Sequence, residues 1–135
     1  MITNVTTAPR TTTALNIANA NTYNTLIDGD PKTVKVVESV SISCGNTNTD
    51  VTIVLTKGGT DYYLWNAVTL TANTIPKTLT NDYPHHLRLD NTMKLRIKAS
   101  NANQITAIAV TFDQLPIQTA PGMGGYAGGN VAGNY

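Results

Sequence analysis

The middle of the chain alternates between apolar and polar residues, the two-residue period of half-buried β-strands. In "TVKVVESVSISC" one predicted face carries Val34, Val36, Val40, Ile42 and Cys44. Glu38 interrupts this apolar face, and Val37 interrupts the polar one. A β-bulge at this point would correct both positions, and a place for Glu38 at the end of the core would also accommodate it.

Similar alternation continues through the segments that follow, and turn-forming residues separate them. The glycines of "KGGT" predict a tight hairpin, and "DNT" predicts a turn between two further strands. The residues expected to face the core are Val51, Ile53, Leu55, Val68, Leu70, Leu87, Leu89, Met93, Leu95, Ile97, Ile108, Val110 and Phe112. Counting "TYNTLID", about eight strands are predicted, as in a jelly roll. The expected fold is an all-β, antiparallel two-sheet sandwich over residues 21–115.

Both ends of the chain differ from this domain. Residues 1–20 are rich in Thr and Ala and are predicted to form an extended arm. Residues 116–135 are rich in glycine, with Tyr126, Val131 and Tyr135 spaced along them as candidate anchors. Such a segment is either a disordered tail or an arm that orders on a partner. We expect residues 116–135 to order only in an assembly, against a neighbouring protein.

Composition limits the possible functions. The 135 residues are 41% hydrophobic but only 13% charged, with a net charge of +1, so no polyanionic partner is implied. A single cysteine excludes an intrachain disulfide and a cysteine-built metal site. No apolar run is long enough for a signal peptide or a membrane span, so we expect a soluble protein made in a cytoplasm.

The candidates for chemistry are weak. His85 and His86 are adjacent, so on a strand they would point to opposite faces and could not hold a metal together. The segment "DGDPKT" shares its spaced carboxylates with calcium loops but lacks their remaining ligands, which favours a turn. Glu38 has no second carboxylate beside it, and no nucleophile motif is present. We therefore expect no enzymatic activity and no cofactor.

A row of basic residues suggests one binding surface. Lys94, Arg96 and Lys98 share the outward face of one predicted strand, and Arg88 is expected on its neighbour. Such a row could bind nucleic acid, with Tyr63 or Trp65 stacking on bases. The rest of the chain carries no basic excess, which favours a solvated or salt-bridging face, so nucleic acid is not the expected partner.

The aromatic stretch "DYYLWN" suggests a second binding surface. If Leu64 faces the core of a regular strand, Tyr63 and Trp65 point outward as candidate protein–protein contact residues. Alternatively, Trp65 covers the end of the core.

The succession "VSISCGNTNTDVTIVLTKGGTDYYLWNAVTLTANTIPKTL" followed by "LRLDNTMKLRIKASNANQITAIAVTF" resembles small β-sandwich virion proteins of tailed bacteriophages. That group shares a "VxLxKGGTxYYL" hairpin and a final pair of strands, although this chain has "TANTIPKT" and "LDNTMKLRIKAS" in place of the group's loop and turn. The resemblance covers residues 23–112 and implies a structural protein of the phage particle, in the head or the tail.

The resemblance implies in particular a capsid decoration or cement protein. Such a protein would form a symmetric homo-oligomer, with a trimer favoured, and would bind the major capsid protein or other virion proteins. The alternatives are a tail, neck or fibre-base component, and a module that binds carbohydrate or a host surface. In the last case Tyr63 and Trp65 would stack on sugar.

Overall fold

The protein folds into two antiparallel β-sheets packed face to face, and the computed structural model describes residues 9–79 and 87–114. The predicted all-β, two-sheet sandwich is confirmed. The strands are β1 Arg10–Asn16, β2 Asn24–Asp28, β3 Val34–Cys44, β4 Thr49–Lys57, β5 Thr60–Leu70, β6 Lys77–Thr78, β7 Leu87–Leu89, β8 Met93–Ala99 and β9 Ile105–Gln114.

The order of the strands is that of a jelly roll. One sheet has the order β1-β9-β3, with the short strands β6 and β7 both paired to the far edge of β3. The other sheet has the order β2-β8-β4-β5. When β6 and β7 are taken as one position, each sheet has four positions, and the chain passes between the sheets as two interlocked Greek keys.

The sandwich begins earlier than the sequence indicated. Strand β1 lies within residues 1–20, which were expected to form an arm, yet it pairs with β9 along its whole length. Ile17, which follows it, is fully buried. Cross-strand hydrogen bonds and this one apolar anchor therefore make the second half of the expected arm part of the domain. Residues 1–8 and the predicted arm of residues 116–135 lie outside the described residues.

The bulge predicted in β3 is present. The pairing of β3 with β9 shifts by one residue between Val37 and Ser39, so Glu38 is the extra residue. Val37, Val40 and Ile42 belong to the hydrophobic core, whereas Val36 is buried outside it. The bulge thus moves the apolar face by one residue, as the interrupted pattern required.

Strand β9 turns towards the core the face opposite to the predicted one. Ile105, Ala107 and Ala109 are fully buried in the core, while Ile108 is 41% exposed. Val110 and Phe112 are half-buried on the outer face, where each pairs with a residue of β1. Both faces of "ITAIAV" are apolar, so alternation could not decide between them, and the small alanines lie where the two sheets pack together.

Two connections position the rest of the core. The "KGGT" hairpin is confirmed, with Gly58 at φ 57° and Gly59 at φ 83°, as a two-residue turn requires. The "DNT" turn is present too, but it leads from β7 in one sheet to β8 in the other. Leu89, Leu95 and Ile97 belong to the same hydrophobic core, with Leu87 and Met93 packed against it, although β7 and β8 do not pair.

Candidate functional site

The aromatic stretch of β5 divides between the surface and the core. Tyr62 and Tyr63 are 55% and 57% exposed, whereas Trp65 is 3% exposed and belongs to the core. The prediction that Trp65 points outward opposite Leu64 is therefore wrong, and the alternative that it covers the core is the correct one. Tyr63 does lie on the surface, as predicted.

Two irregularities of β5 turn Trp65 inward. Val54 pairs with Tyr63 and Ile53 pairs with Trp65, so Leu64 is an extra residue in β5. A second shift follows between Trp65 and Val68, where Ala67 adopts a φ of 51°. Each extra residue changes which side of the strand faces the core. Neither Leu64 nor Ala67 belongs to a residue type that marks a bulge, so the two bulges have no local signal in the sequence.

The exposed tyrosine forms part of a platform on the outer face of the four-stranded sheet. Arg96, Val54 and Tyr63 are cross-strand neighbours on β8, β4 and β5, and Val54 is fully buried although it lies outside the core cluster. The ring of Tyr23 has the Arg96 guanidinium 4.7 Å and the Lys98 ammonium 4.8 Å from its centroid. We call Tyr23, Tyr63, Arg96 and Lys98 the tyrosine platform, which lies over Val54. Its cations contact an aromatic ring, and Val54 is covered.

The hydroxyl of Tyr23 has a distinct environment within the platform. Burial raises the pKa of Tyr23 above its ordinary value, and the nearby Tyr63 and Asp61 raise it further, while Arg96 opposes them. The two tyrosines therefore meet through their hydroxyl ends, one from β5 and one from the chain just before β2.

The charges next to the platform are paired within the chain. Arg96 Nη2 lies 3.0 Å from Asp61 Oδ1, and Lys94 Nζ lies 4.0 Å from Asp28 Oδ1. Hydrogen bonds from Thr56 and Arg96 lower the pKa of the Asp61 carboxyl. The prediction that Arg88 lies next to this row is wrong, because β7 belongs to the other sheet. With two of its three cations paired, the basic row is a poor match for a polyanion.

A groove of about 250 Å³ adjoins the platform at Lys98. Its lining consists of Asn21, Asp50, Thr52, Asn66, Ala67, Lys98 and Ser100. Thr69 Oγ1 donates to Asp50 Oδ1 at 2.5 Å, whereas the side chains of Asn21 and Asn66 form no hydrogen bond with any described residue. The groove thus presents two amides, a carboxylate and an ammonium to a polar ligand.

A second cleft of about 390 Å³ lies between β5 and β6. Ile75, on its rim, is 89% exposed, and the Lys77 ammonium lies 5.5 Å from the Trp65 ring centroid. Cys44 also lines it, and its thiol donates to the carbonyl oxygen of Thr47. The described lining of the cleft is half apolar.

The remaining predicted site residues that the structure describes form no cluster. Asp30 Oδ1 accepts a hydrogen bond from the Lys32 amide at 2.7 Å, the Asx turn expected of "DGDPKT". His85 and His86 lie outside the described residues, as do Tyr126, Val131 and Tyr135. In residues 9–79 and 87–114, no three His, Cys, Asp or Glu residues are placed to hold a metal ion. The same ranges contain no helix that is long and apolar enough to cross a membrane.

The solved structures that are similar to this chain include one from a virus. A chain in the structure of infectious bursal disease virus, Gx strain, matches with a TM-score of 0.41 and 12% sequence identity. The match covers 80% of this chain and 30% of the viral chain. No protein-family model matches the sequence, and no curated protein matches it. The function must therefore be argued from the surface of this chain and from the resemblance in its sequence.

Proposed function

We propose that the protein is a non-enzymatic structural protein of a tailed-phage virion, and that it decorates the capsid by binding the outer shell and joining neighbouring capsid subunits. The observation that carries this proposal is the pair of exposed aromatic side chains, Tyr62 and Tyr63, next to charges that are neutralised within the chain. A surface of this kind suits contact with another protein.

The energetics of such a contact are favourable. A tyrosine side chain has few torsions, so little side-chain entropy is lost when a partner covers Tyr62 or Tyr63. Arg96 already has a carboxylate partner, so burying this region leaves no unpaired guanidinium. A tyrosine at the centre of an interface can contribute about 2 kcal/mol or more to binding.

The fold and the sequence resemblance agree with this proposal. Jelly rolls build many viral shells, but they also build lectins, so the fold alone does not choose between these functions. The resemblance to small phage virion proteins favours the shell. The major capsid protein is the proposed partner.

The test is the incorporation of variants into particles. Tyr62→Ser with Tyr63→Ser should fold but bind shells that lack the protein about 30-fold more weakly, as the loss of about 2 kcal/mol implies. The matched control is Ile75→Ser, which removes another exposed apolar side chain from a different part of the surface. Equal binding by all three proteins would contradict the proposal.

The number of copies in each particle distinguishes the head from the tail. A shell protein should be present in proportion to the capsid subunits, because each symmetry-related site binds a copy. A tail, neck or fibre-base component should be present in only a few copies. Quantitative mass spectrometry of purified particles, calibrated on the major capsid protein, measures this ratio.

Carbohydrate binding is a second candidate, favoured by the groove beside the platform. Primary amides and a carboxylate can bind vicinal hydroxyls, and the exposed ring of Tyr63 lies on the same sheet face. A glycan array with neutral and acidic oligosaccharides, followed by NMR titration of any hit, tests it. Asn66→Ala should abolish binding, whereas Asn91→Ala, in the exposed turn after β7, should not. If no oligosaccharide binds, this candidate is rejected.

A further inference from the structure

The sandwich has four sheet edges in its described part, and three of them are protected against pairing with another strand. Strand β5 contains two bulges, and β2 contains a register shift between Thr25 and Ile27. The far edge of β3 is covered by β6 and β7. Bulges and covering strands are devices that prevent edge-to-edge association, because an open edge presents unpaired backbone donors and acceptors.

Strand β1 is the edge that lacks these devices. It pairs with β9 in unbroken register from Arg10 to Asn16, and "RTTTALN" contains no proline, glycine or lysine. Its one charged residue, Arg10, is directed to its own sheet, where it lies 4.5 Å from the Phe112 ring centroid and 3.0 Å from Glu38. Among the described residues, this regular edge of seven residues, whose one charge is paired within its own sheet, is therefore open to strand addition.

We propose that β1 pairs antiparallel with β1 of a second copy, so that the two five-stranded sheets become one continuous sheet across a two-fold axis. This inference rests on the sheet edge and not on the virion role. It gives a dimer, in contrast to the trimer that the sequence resemblance favoured.

The sequence of β1 is complementary to itself in this arrangement. With Thr13 on the axis, Thr12 lies opposite the partner's Ala14, and Arg10 lies opposite the partner's Asn16. The two Arg10 side chains are then separated by about 20 Å along the strands, so they do not repel each other. Threonine and alanine are small enough to pack across the pair without a clash.

The outer face of the sheet adds an apolar contact. Ile108, which is 41% exposed, is in register with Ala14, and Val110 is in register with Thr12. Pairing of β1 with β1 places the row of Ile108 and Ala14 beside the row of Thr12 and Val110 in the second copy. The apolar strip of Ile108 and Ala14 is thereby continued by the Thr12 methyl group and Val110 of the second copy.

The test uses charge at two exposed positions of the purified full chain. Thr12→Lys with Ala14→Lys places like charges opposite each other in both rows, and should raise the dimer dissociation constant by roughly tenfold or more. Thr12→Lys with Ala14→Glu places opposite charges together and should restore the dimer. Thr60→Lys with Asn66→Lys, on the bulged edge of β5, is the matched control and should leave the dimer unchanged. Sedimentation velocity over a range of concentrations measures each dissociation constant.

Three outcomes would overturn the proposal. A wild-type protein that stays monomeric at the highest soluble concentration shows that β1 does not pair with a second copy. A trimer that is insensitive to the two lysines shows that copies associate through another surface. A dimer weakened equally by both charge patterns shows that the pairing is not antiparallel about Thr13.

Discussion

The guanidinium of Arg96 lies 3.0 Å from Oδ1 of Asp61, although the two residues belong to strands β8 and β5, which are separated by β4. Thr56 on β4 completes the connection: its hydroxyl donates to Asp61 at 2.6 Å and accepts from Arg96 Nε at 3.0 Å. A single chain of charge-assisted hydrogen bonds therefore ties three strands together on the outer face.

Asp61 should make the stability of the domain depend on acid pH. The pKa of Asp61 in the folded state is lowered from the ordinary 3.8. Its stabilising effect is therefore present above pH 3.8 and is lost as the pH falls through the lower pKa of the folded state. Asp61→Asn should reduce the free energy of unfolding at about pH 7, and the difference from wild type should shrink towards about pH 3.

Urea unfolding at several pH values measures this difference. The control is Asp28→Asn, because Asp28 is more exposed and lies 4.0 Å from its lysine, so its loss should cost less than about 0.5 kcal/mol. A difference between Asp61→Asn and wild type that is independent of pH would contradict the assignment.

Trp65 should contribute to folding rather than to assembly. Trp65→Ala removes a side chain that is 3% exposed, and should lower the free energy of unfolding by about 3–5 kcal/mol. Tyr62→Ala, three residues away on the surface, should stay within about 0.5 kcal/mol of wild type. Equilibrium denaturation followed by circular dichroism checks both, and similar values for the two variants would argue against the bulges in β5.

The tyrosine platform should behave as a small packed layer and not as a solvated surface. Val54 is fully buried beneath it, so Val54→Ala should destabilise the domain by about 2 kcal/mol. Val110→Ala makes the same change at a half-buried position on the outer face of the other sheet, and its cost should be clearly smaller. Thermal unfolding of the two variants decides this, since equal losses would mean that the platform does not cover Val54.

Gly29 and Gly58 should respond differently to the same substitution. A Cβ at Gly29 would lie 1.8 Å from the backbone oxygen of Asp90, whereas Gly58 has open space around it and a φ of 57° that asparagine tolerates. Gly29→Asn should therefore cost more than about 2 kcal/mol, and Gly58→Asn should be nearly neutral. Differential scanning calorimetry compares them, and comparable melting temperatures would refute the close approach at Gly29.

The sequence was informative wherever one face of a strand was polar. Alternation located most of the strands, and the misplaced charge at Glu38 left a bulge in β3 as one of two explanations, which is the one that the structure has. The glycines at 58 and 59 specified their own turn, because the positive φ there is costly for other residues.

The predictions from the sequence failed where the local pattern of residues carries no information about pairing between distant strands. The bulge at Leu64 depends on the register with β4, and the orientation of β9 depends on how closely two sheets pack around Ala107 and Ala109. The position of Arg88 depends on which sheet a three-residue strand joins. For the candidate site, Tyr63 was identified, but its partner Tyr23 is distant in sequence and could not be.

The unequal protection of the sheet edges has a consequence for the size of any assembly. A protein with two open edges can add copies at both ends and grow into a fibre. In the described part of this chain the edges at β2 and β5 are irregular and that of β3 is occupied, so only β1 can be extended. When two copies pair through β1, that edge is occupied in both of them. Polymerisation by strand addition would therefore stop at its first step, even at a high concentration of the protein.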